Sequence, residues 1–529
     1  MSLADDARAV ISRLRRICGD DGGGAVLKRR GGIWKVDSFP ASVNTRSDVD
    51  RLAGLVDVGA VYLSRSREVG PEEIRRLAAL PRLRRLVAHE RLAVADVEAI
   101  CTLSKLEDLT LRDYGWRTWV ARDLVNLRDL VNLRRLNLCG LGLADESLTS
   151  IRPLTRLEHL DLSGNRHITD SGIAELSGLT NLRSLALDAV GQAGLCVLER
   201  LPRLERLDVV SYRPGDAGAG LTAVRGLKAL TIHCVDGGPG TVRLPDNLER
   251  VVADADTLTR LDVRSARRIR HVEIELHSAG RDVGPEGRDG VRALEWLGCV
   301  PHLTELTVTD ARHGDGKAIA ALSSLRCLCV RGGCSRPFTD QDVDNLSGLR
   351  QLESLDVWIA TGSAMRVLQN FPNLRELGHV ISSQALSDAG LARLTSLKHL
   401  RSLALPLDLD PRDGVTPPGL GRIKAIRGLE SLCLSGKLSD RELIEVAGLP
   451  KLCSLDLTFA SGFSDEGLAA LMEAAPVLEE LKQAAPRIFK MRRLDDRIAI
   501  HYSQASIRAH WMFDSREDGQ TWPRMLASE

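Results

Sequence analysis

Eight stretches of this chain share one frame: LVNLRRLNL (130–138), LTRLEHLDL (154–162), LTNLRSLAL (179–187), LPRLERLDV (201–209), LSSLRCLCV (322–330), LRQLESLDV (349–357), IRGLESLCL (426–434) and LPKLCSLDL (449–457). Each carries leucine or a close relative at the first, fourth and sixth positions of an LxxLxL unit. Side chains alternate across a strand, so the fourth and sixth residues fall on one face and the third, fifth and seventh on the other. A unit this short makes one short strand. Its recurrence at a near-constant interval predicts a solenoid, in which each turn buries its leucines against the next.

At 529 residues, a compact chain would divide into several domains. A solenoid does not, because each turn touches only its neighbours. Hydrophobic residues make 43% of the chain and aromatics only 3%, so stacked leucines supply the core. Charge is balanced, 72 basic against 71 acidic residues. That balance argues against general nucleic-acid binding, which needs a basic excess to neutralise phosphates. The 11 cysteines are odd in number and include no CxxC pair, which predicts free thiols, no disulfide, no structural metal and a cytoplasmic location. The start, MSLADDARAVISRLRRICGDD, has acids early and no unbroken apolar core, unlike a secretory signal. No run approaches the ~18 apolar residues of a spanning helix.

Along the chain, Leu3, Ala7, Val10, Ile11, Leu14 and Ile17 fall on one helical face. AVLKRR and IWKVDSF flank Gly31-Gly32 and read as a hairpin. Residues 1–50 are therefore expected to form an N-terminal cap over the first repeat. About 18 repeats follow over 51–483 at mostly 21–29-residue intervals. Their fourth positions start at Val61 and Leu86 and include Val251, Leu261 and Leu306. The frame is irregular over 237–290, where only 10 residues separate Val251 from Leu261 and a glycine-rich stretch (278–290) follows. A second irregularity is the loop DYGWRTW (113–119), followed by LVNLRD and LVNLRR. Residues 484–529 leave the frame and read as a C-terminal cap.

A second element recurs between strands: LADESLTSI, ITDSGIAEL, FTDQDVDNL, LSDAGLARL, LSDRELIEV and FSDEGLAAL. Ser, Thr or Ala precedes Asp, and an apolar-periodic turn follows. Ser, Thr and Asp cap helix N-termini, and Ser439 with Glu442 has capping-box spacing, so these segments predict helical turns on the convex side. Joined, as in ITDSGIAELSGLTNLRSLAL, the two elements resemble the cysteine-containing-like subclass of leucine-rich repeats, found in F-box-associated and bacterial intracellular repeat proteins. The resemblance covers roughly 51–483. It implies an α/β horseshoe with parallel strands on the concave face, and binding rather than a reaction. The chain departs from the subclass by lacking its Asn or Cys after most strands; Asn165 and Cys139 come nearest. The first 50 residues carry no F-box.

Catalytic motifs are incomplete. Cys18-Gly19-Asp20 fits the CxD element of bacterial repeat-containing ubiquitin ligases, but the large helical domain that such enzymes carry has no room here. Gly314-Asp315-Gly316-Lys317 lacks the first glycine and the hydroxyl of a phosphate loop, with Ala311 and Ala318 in their places. Cys327, Cys329, Cys334 and His313 lack paired zinc spacing. No GxSxG elbow occurs. The chain is thus expected to be a non-enzymatic, cofactor-free monomer that binds another protein on its concave face. A substrate adaptor for a degradation or modification enzyme and a small-molecule or nucleic-acid sensor are the alternatives.

The concave columns contain Arg85, His89, Asp108, Arg112, Arg135, Asn137, His159, Asp161, Arg206 and Asp208. They continue through Arg260, Asp262, Arg264, Cys327, Cys329, Arg331, Asp356 and Trp358. Trp358 is the expected anchor, since a large aromatic in a solvent column of an aromatic-poor chain suits an interface. Trp116 and Trp119, in a polar insertion, form a second candidate site.

Overall fold

The computed structural model describes residues 25–483 apart from 31–32, 39, 44, 53–57, 64–68, 90–91, 113–118, 214–220, 236–240, 263–266, 277–287, 333–337, 358–363, 379–386, 408–416 and 476. The chain opens with two antiparallel strands, β1 (Ala25–Arg30) and β2 (Ile33–Ser38). A parallel ladder then starts with β3 (Pro40–Val43), β4 (Ala60–Leu63), β5 (Arg85–His89), β6 (Asp108–Arg112) and β7 (Arg135–Asn137). It continues through β8 (His159–Asp161), β9 (Ser184–Val190), β10 (Arg206–Tyr212) and β11 (Ala229–Val235). Two-residue strands β12 (Val242–Arg243) and β14 (Leu261–Asp262) pair only with each other. The ladder passes around them, from β11 to β13 (Arg250–Asp254) and on to β15 (His271–Glu275). The remaining strands are β16 (Glu305–Ala311), β17 (Cys327–Gly332), β18 (Ser354–Val357), β19 (Glu376–Leu377), β20 (Ser402–Leu407), β21 (Ser431–Lys437), β22 (Ser454–Ser461) and β23 (Glu480–Gln483). The ladder therefore holds 19 parallel strands.

The leucine frame accounts for the core. Leu136, Leu160, Leu185, Leu207 and Leu230 are successive partners across β7 to β11, and each is at most 2% exposed. Leu328, Leu355, Leu432 and Leu455 repeat the arrangement further on. Leu261 is a correction to the frame. It lies on β14, in a return segment, and the residue after Val251 in the ladder is Val272. A ten-residue interval cannot hold a strand, an outer segment and a way back, so the frame skips it.

The outer segments are short α or 3-10 helices of three to ten residues, and recurring aspartates staple several of them to the next repeat. Asp145 accepts bonds from the backbone N–H (2.7 Å) and hydroxyl (2.6 Å) of Thr169 in the next repeat. Asp440 binds Ser464 in the same way, at 2.6 Å for both. The capping role falls to the preceding hydroxyl residue. Ser464 and Ser387 accept from the amides of Gly467 and Gly390, and Ser439 and Glu442 form the capping box.

The ladder closes on itself. The ladder begins at Pro40, within the residues expected to be cap. The hairpin does not lie over the first repeat alone, because β1 pairs antiparallel with β23 at the far end of the solenoid. Since β1 also pairs with β2, and only Phe39 separates β2 from β3, the hydrogen-bonded circuit is complete. It has 20 strand positions: the 19 parallel strands, with β2 in line with β3, and β1 between β23 and β2. Twenty positions at ~4.8 Å give an inner perimeter of about 96 Å and a radius of about 15 Å. One layer of ~10 Å further out, the same 18° step (roughly a twentieth of a turn) separates outer segments by about 8 Å, the spacing at which helices pack. Closure is offset. Pro40 is in register with Glu480 through the ladder, yet Glu480 faces Lys28 and Lys28 faces Lys35. The two ends thus miss by five residues, about 17 Å along the strands, and the hairpin bridges a one-turn spiral.

Candidate functional site: the inner face of the ring

The inner face is built from the polar columns of the repeat. The third column runs Arg85, Asp108, Arg135, His159, Ser184, Arg206, Ala229, Arg250, His271, Glu305 across β5 to β16, all in direct register. The fifth column holds Tyr62, Val87, Thr110, Asn137, Asp161, Ala186, Asp208, Thr231, Val252 and Glu273. Opposite charges meet between neighbouring strands. Asp108 lies 3.5 Å from Arg85 and 3.9 Å from Arg135. Arg250 donates to Glu273 at 2.9 Å, and His271 faces Glu305 at 3.1 Å. Asn137 donates to Asp161 at 2.9 Å, and Thr231 donates to Asp208 at 2.5 Å.

Burial shapes the electrostatics. Desolvation raises the carboxyl of Asp108 above its ordinary range, opposed by the two arginines. It lowers His159 to about 4, with the charge of Arg135 adding to the effect, so this imidazole is neutral at pH 7. The Cys327 thiol is pushed up to about 11 and Cys329 to about 12. Both thiols are therefore protonated at neutral pH. Cys329 contacts Asp356 at 3.6 Å. Among the described residues, no group of three His, Cys, Asp or Glu is arranged to hold a metal ion, and no disulfide joins the nine described cysteines to one another.

The structure sorts the expected site residues into three groups. Arg135, His159, Asp161, Arg206, Asp208, Arg331 and Asp356 sit on the inner strands β7, β8, β10, β17 and β18. Arg112 is on inner strand β6 but only 4% exposed, and its neighbours Val87 and Thr110 are fully buried. The inner face is therefore closed at β5 and β6, and its accessible part begins at β7, where Arg135 is exposed. Arg260 and Asp262 do not face inward. Arg260 caps the outer helix Ala255–Thr259 and its guanidinium docks on the carbonyl of Val235, while Asp262 lies on β14. Their assignment to the concave columns followed from the false repeat at Leu261. Trp119 is core, 1% exposed, with its backbone N–H on the carbonyl of Leu141. A tryptophan anchored beneath the next repeat cannot present itself to a partner. Trp116, Trp358 and Arg264 lie outside the described residues, as do the helix at 3–17, the cap at 484–529, Cys18 and Cys334.

Two features went unread in the sequence. Val210, at the seventh position of β10, is 49% exposed and gives the accessible inner face an apolar contact. The frame's second position alternates in sign through nine consecutive turns: Arg84, Glu107, Arg134, Glu158, Arg183, Glu205, Lys228, Glu249 and Arg270. These residues stack at the rim where strands begin. Arg84 meets Glu107 at 3.5 Å, Arg134 meets Glu158 at 2.5 Å, and Lys228 meets Glu205 at 2.9 Å. Like charges one strand apart repel and opposite charges attract, so the alternation favours the native stacking of repeats over a slipped one. The signal was present in the quoted strings but is visible only once the repeats are aligned by frame.

A ladder of parallel strands with short outer helices, one pair per turn, is a leucine-rich-repeat α/β solenoid. No family model and no curated protein matches the sequence. Solved structures do. An internalin from Listeria monocytogenes (inlF) is 16% identical over 86% of this chain and 94% of that one, with a TM-score of 0.28. A leucine-rich-repeat protein of Leptospira interrogans is 16% identical over 84% and 99%, with a TM-score of 0.30. Internalin C2 of Listeria monocytogenes is 18% identical over 44% and 92%, with a TM-score of 0.27. Among the described residues, no helix is long and apolar enough to cross a membrane.

Proposed function

We propose that this chain is a protein-binding scaffold whose partner docks on the inner face from β7 onward. One observation carries the reading: the accessible columns mix both signs at close range. Arg135 and Arg206 in the third column alternate with Asp161 and Asp208 in the fifth, Arg135 exposed and the other three partly exposed. A polyanion would meet as much repulsion as attraction on such a surface, whereas a protein segment can match alternating charges residue by residue, and a helix of ~10–12 Å diameter is narrow enough to enter the ring. The size supports it as well. From the third to the seventh position a strand presents about 13 Å, so the 15 strands from β7 to β23 offer roughly 900 Å², the scale of one side of a stable interface. Arg135, His159, Asp161, Arg206, Asp208, Arg331 and Asp356 form the proposed contact set, with Trp358 as anchor and Val210 on β10 as a separate apolar contact. The recurring aspartate–glycine segments favour the cysteine-containing-like subclass, and the odd cysteine count without paired spacing favours a reducing, cytoplasmic setting.

The test compares variants against the partner that co-purifies with the unaltered chain. Arg135→Glu combined with Arg206→Glu is expected to weaken that complex at least tenfold, and Trp358→Ala to weaken it by about 1–2 kcal/mol. Arg441→Glu, on the outer helix Asp440–Ala447, is expected to leave affinity unchanged. The reverse ranking would place the site on the outer surface.

A further inference from the structure

We propose that β1 is an exchangeable strand: it closes the ring in cis on the edge of β23, and at high concentration the same edge takes β1 of a second copy. Eighteen of the joints around the ring are parallel pairs between repeats that also share the leucine core. The joint between β1 and β23 is different. It is antiparallel and spans four residue pairs, Ala25 with Gln483 through Lys28 with Glu480. The partner joint of the same strand, to β2, carries a register shift between Val26 and Leu27. The hairpin must also bridge the five-residue offset between the two ends of the spiral.

An exposed strand edge is a template for another strand. When β1 leaves, β23 presents its backbone donors and acceptors along such an edge. The best complement is the strand that already fits it, and every copy of the chain carries one. The hinge favours exchange, because Phe39 alone links the hairpin to β3, and a one-residue hinge gives little slack for the hairpin to reach back within its own chain. Short hinges of this kind promote swapping between copies. Reciprocal exchange gives a closed two-fold dimer, and one-way exchange an open chain. In dilute solution, attachment within one molecule keeps the hairpin at high effective concentration and the closed monomer dominates.

The experiment uses the full chain carrying Lys28→Cys and Glu480→Cys, which place two thiols directly opposite each other. After mild oxidation, mass mapping reads whether the introduced thiols are joined within one chain or between two. Intrachain linkage is expected at sub-micromolar concentration, with an interchain fraction that grows several-fold as protein is concentrated a hundredfold before oxidation. Chains locked within themselves are expected to stay monomeric on sizing columns at any concentration, while the reduced protein shows a concentration-dependent dimer. Linkage within one chain at every concentration overturns the exchange. Failure of the two thiols to join in either way overturns the seam itself. Amide exchange on the unaltered protein is the second readout. Residues 480–483 are expected to lose protection before 454–461, and equal protection of both would overturn a releasable β1.

Discussion

His159 shows what the inner face does to a single residue. It sits on β8 next to Arg135 on β7, partly buried. Burial first, and the neighbouring arginine charges second, lower its pKa to about 4 against an opposing pull from Glu158. The unfolded chain, with histidine near ~6.5, therefore takes up a proton that the folded chain refuses. Stability contributed by the neutral ring is complete above pH ~6.5 and is lost as pH falls from there towards 4. The urea midpoint is expected to drop over that window, and His159→Asn to flatten the drop; an unchanged slope in the variant would assign it to other groups. The position of His159 on the polar face was legible from the frame. Its neutrality was not, because it follows first from burial in the folded ladder and then from arginines 24 and 47 residues away in sequence. Trp119, in the 113–119 insertion, makes the opposite point. Residue type and a polar context suggested display, but the side chain is buried in the core, and burial of this kind has no local pattern in the sequence.

At the scale of the element, the aspartates between strands read as caps and proved to be staples. The neighbouring hydroxyl caps the helix, and the aspartate reaches to the next repeat. This explains the glycines that recur two residues after Asp170, Asp388 and Asp465. A Cβ on Gly467 would lie 2.1 Å from the carboxylate of Asp440 in the preceding repeat, and one on Gly172 would lie 2.3 Å from that of Asp145. The glycine is required for space. Gly467→Ala is expected to cost about 1–3 kcal/mol in urea unfolding. Adding Asp440→Ala is expected to cost less than the sum of the two single changes, because the clash is then gone. Additive costs would mean that the two residues do not touch. The residue types were legible in the strings, and so was the helical turn. The aspartate's target was not, since a hydrogen bond across 24 residues has no local pattern. The same holds for β12 and β14. Leu261 looked like a repeat position because it is apolar and correctly flanked, and only the ladder shows that the chain has no room to return there.

At the scale of the whole molecule, closure is the main result. A curved stack of repeats has two open ends, each an exposed strand edge and an exposed apolar surface. Here one hairpin serves both, because the curvature per repeat brings the ends within its reach. Leu27→Pro removes a backbone donor from the middle of β1. It is expected to open the ring, lower the sedimentation coefficient at constant mass and release protection at 480–483, with the central ladder unaffected. An unchanged sedimentation coefficient would mean that the hairpin does not hold the ends together. The solenoid, its buried leucines, its outer helical turns and the polar columns are legible in the chain alone, because each depends on residues within one repeat or on its immediate neighbours. The closure of the solenoid, the burial of the inner face at β5 and β6, and the place of β1 against β23 emerge only from the assembled fold. Those outcomes depend on a small angle summed over 20 positions, and no single repeat encodes where such a sum ends.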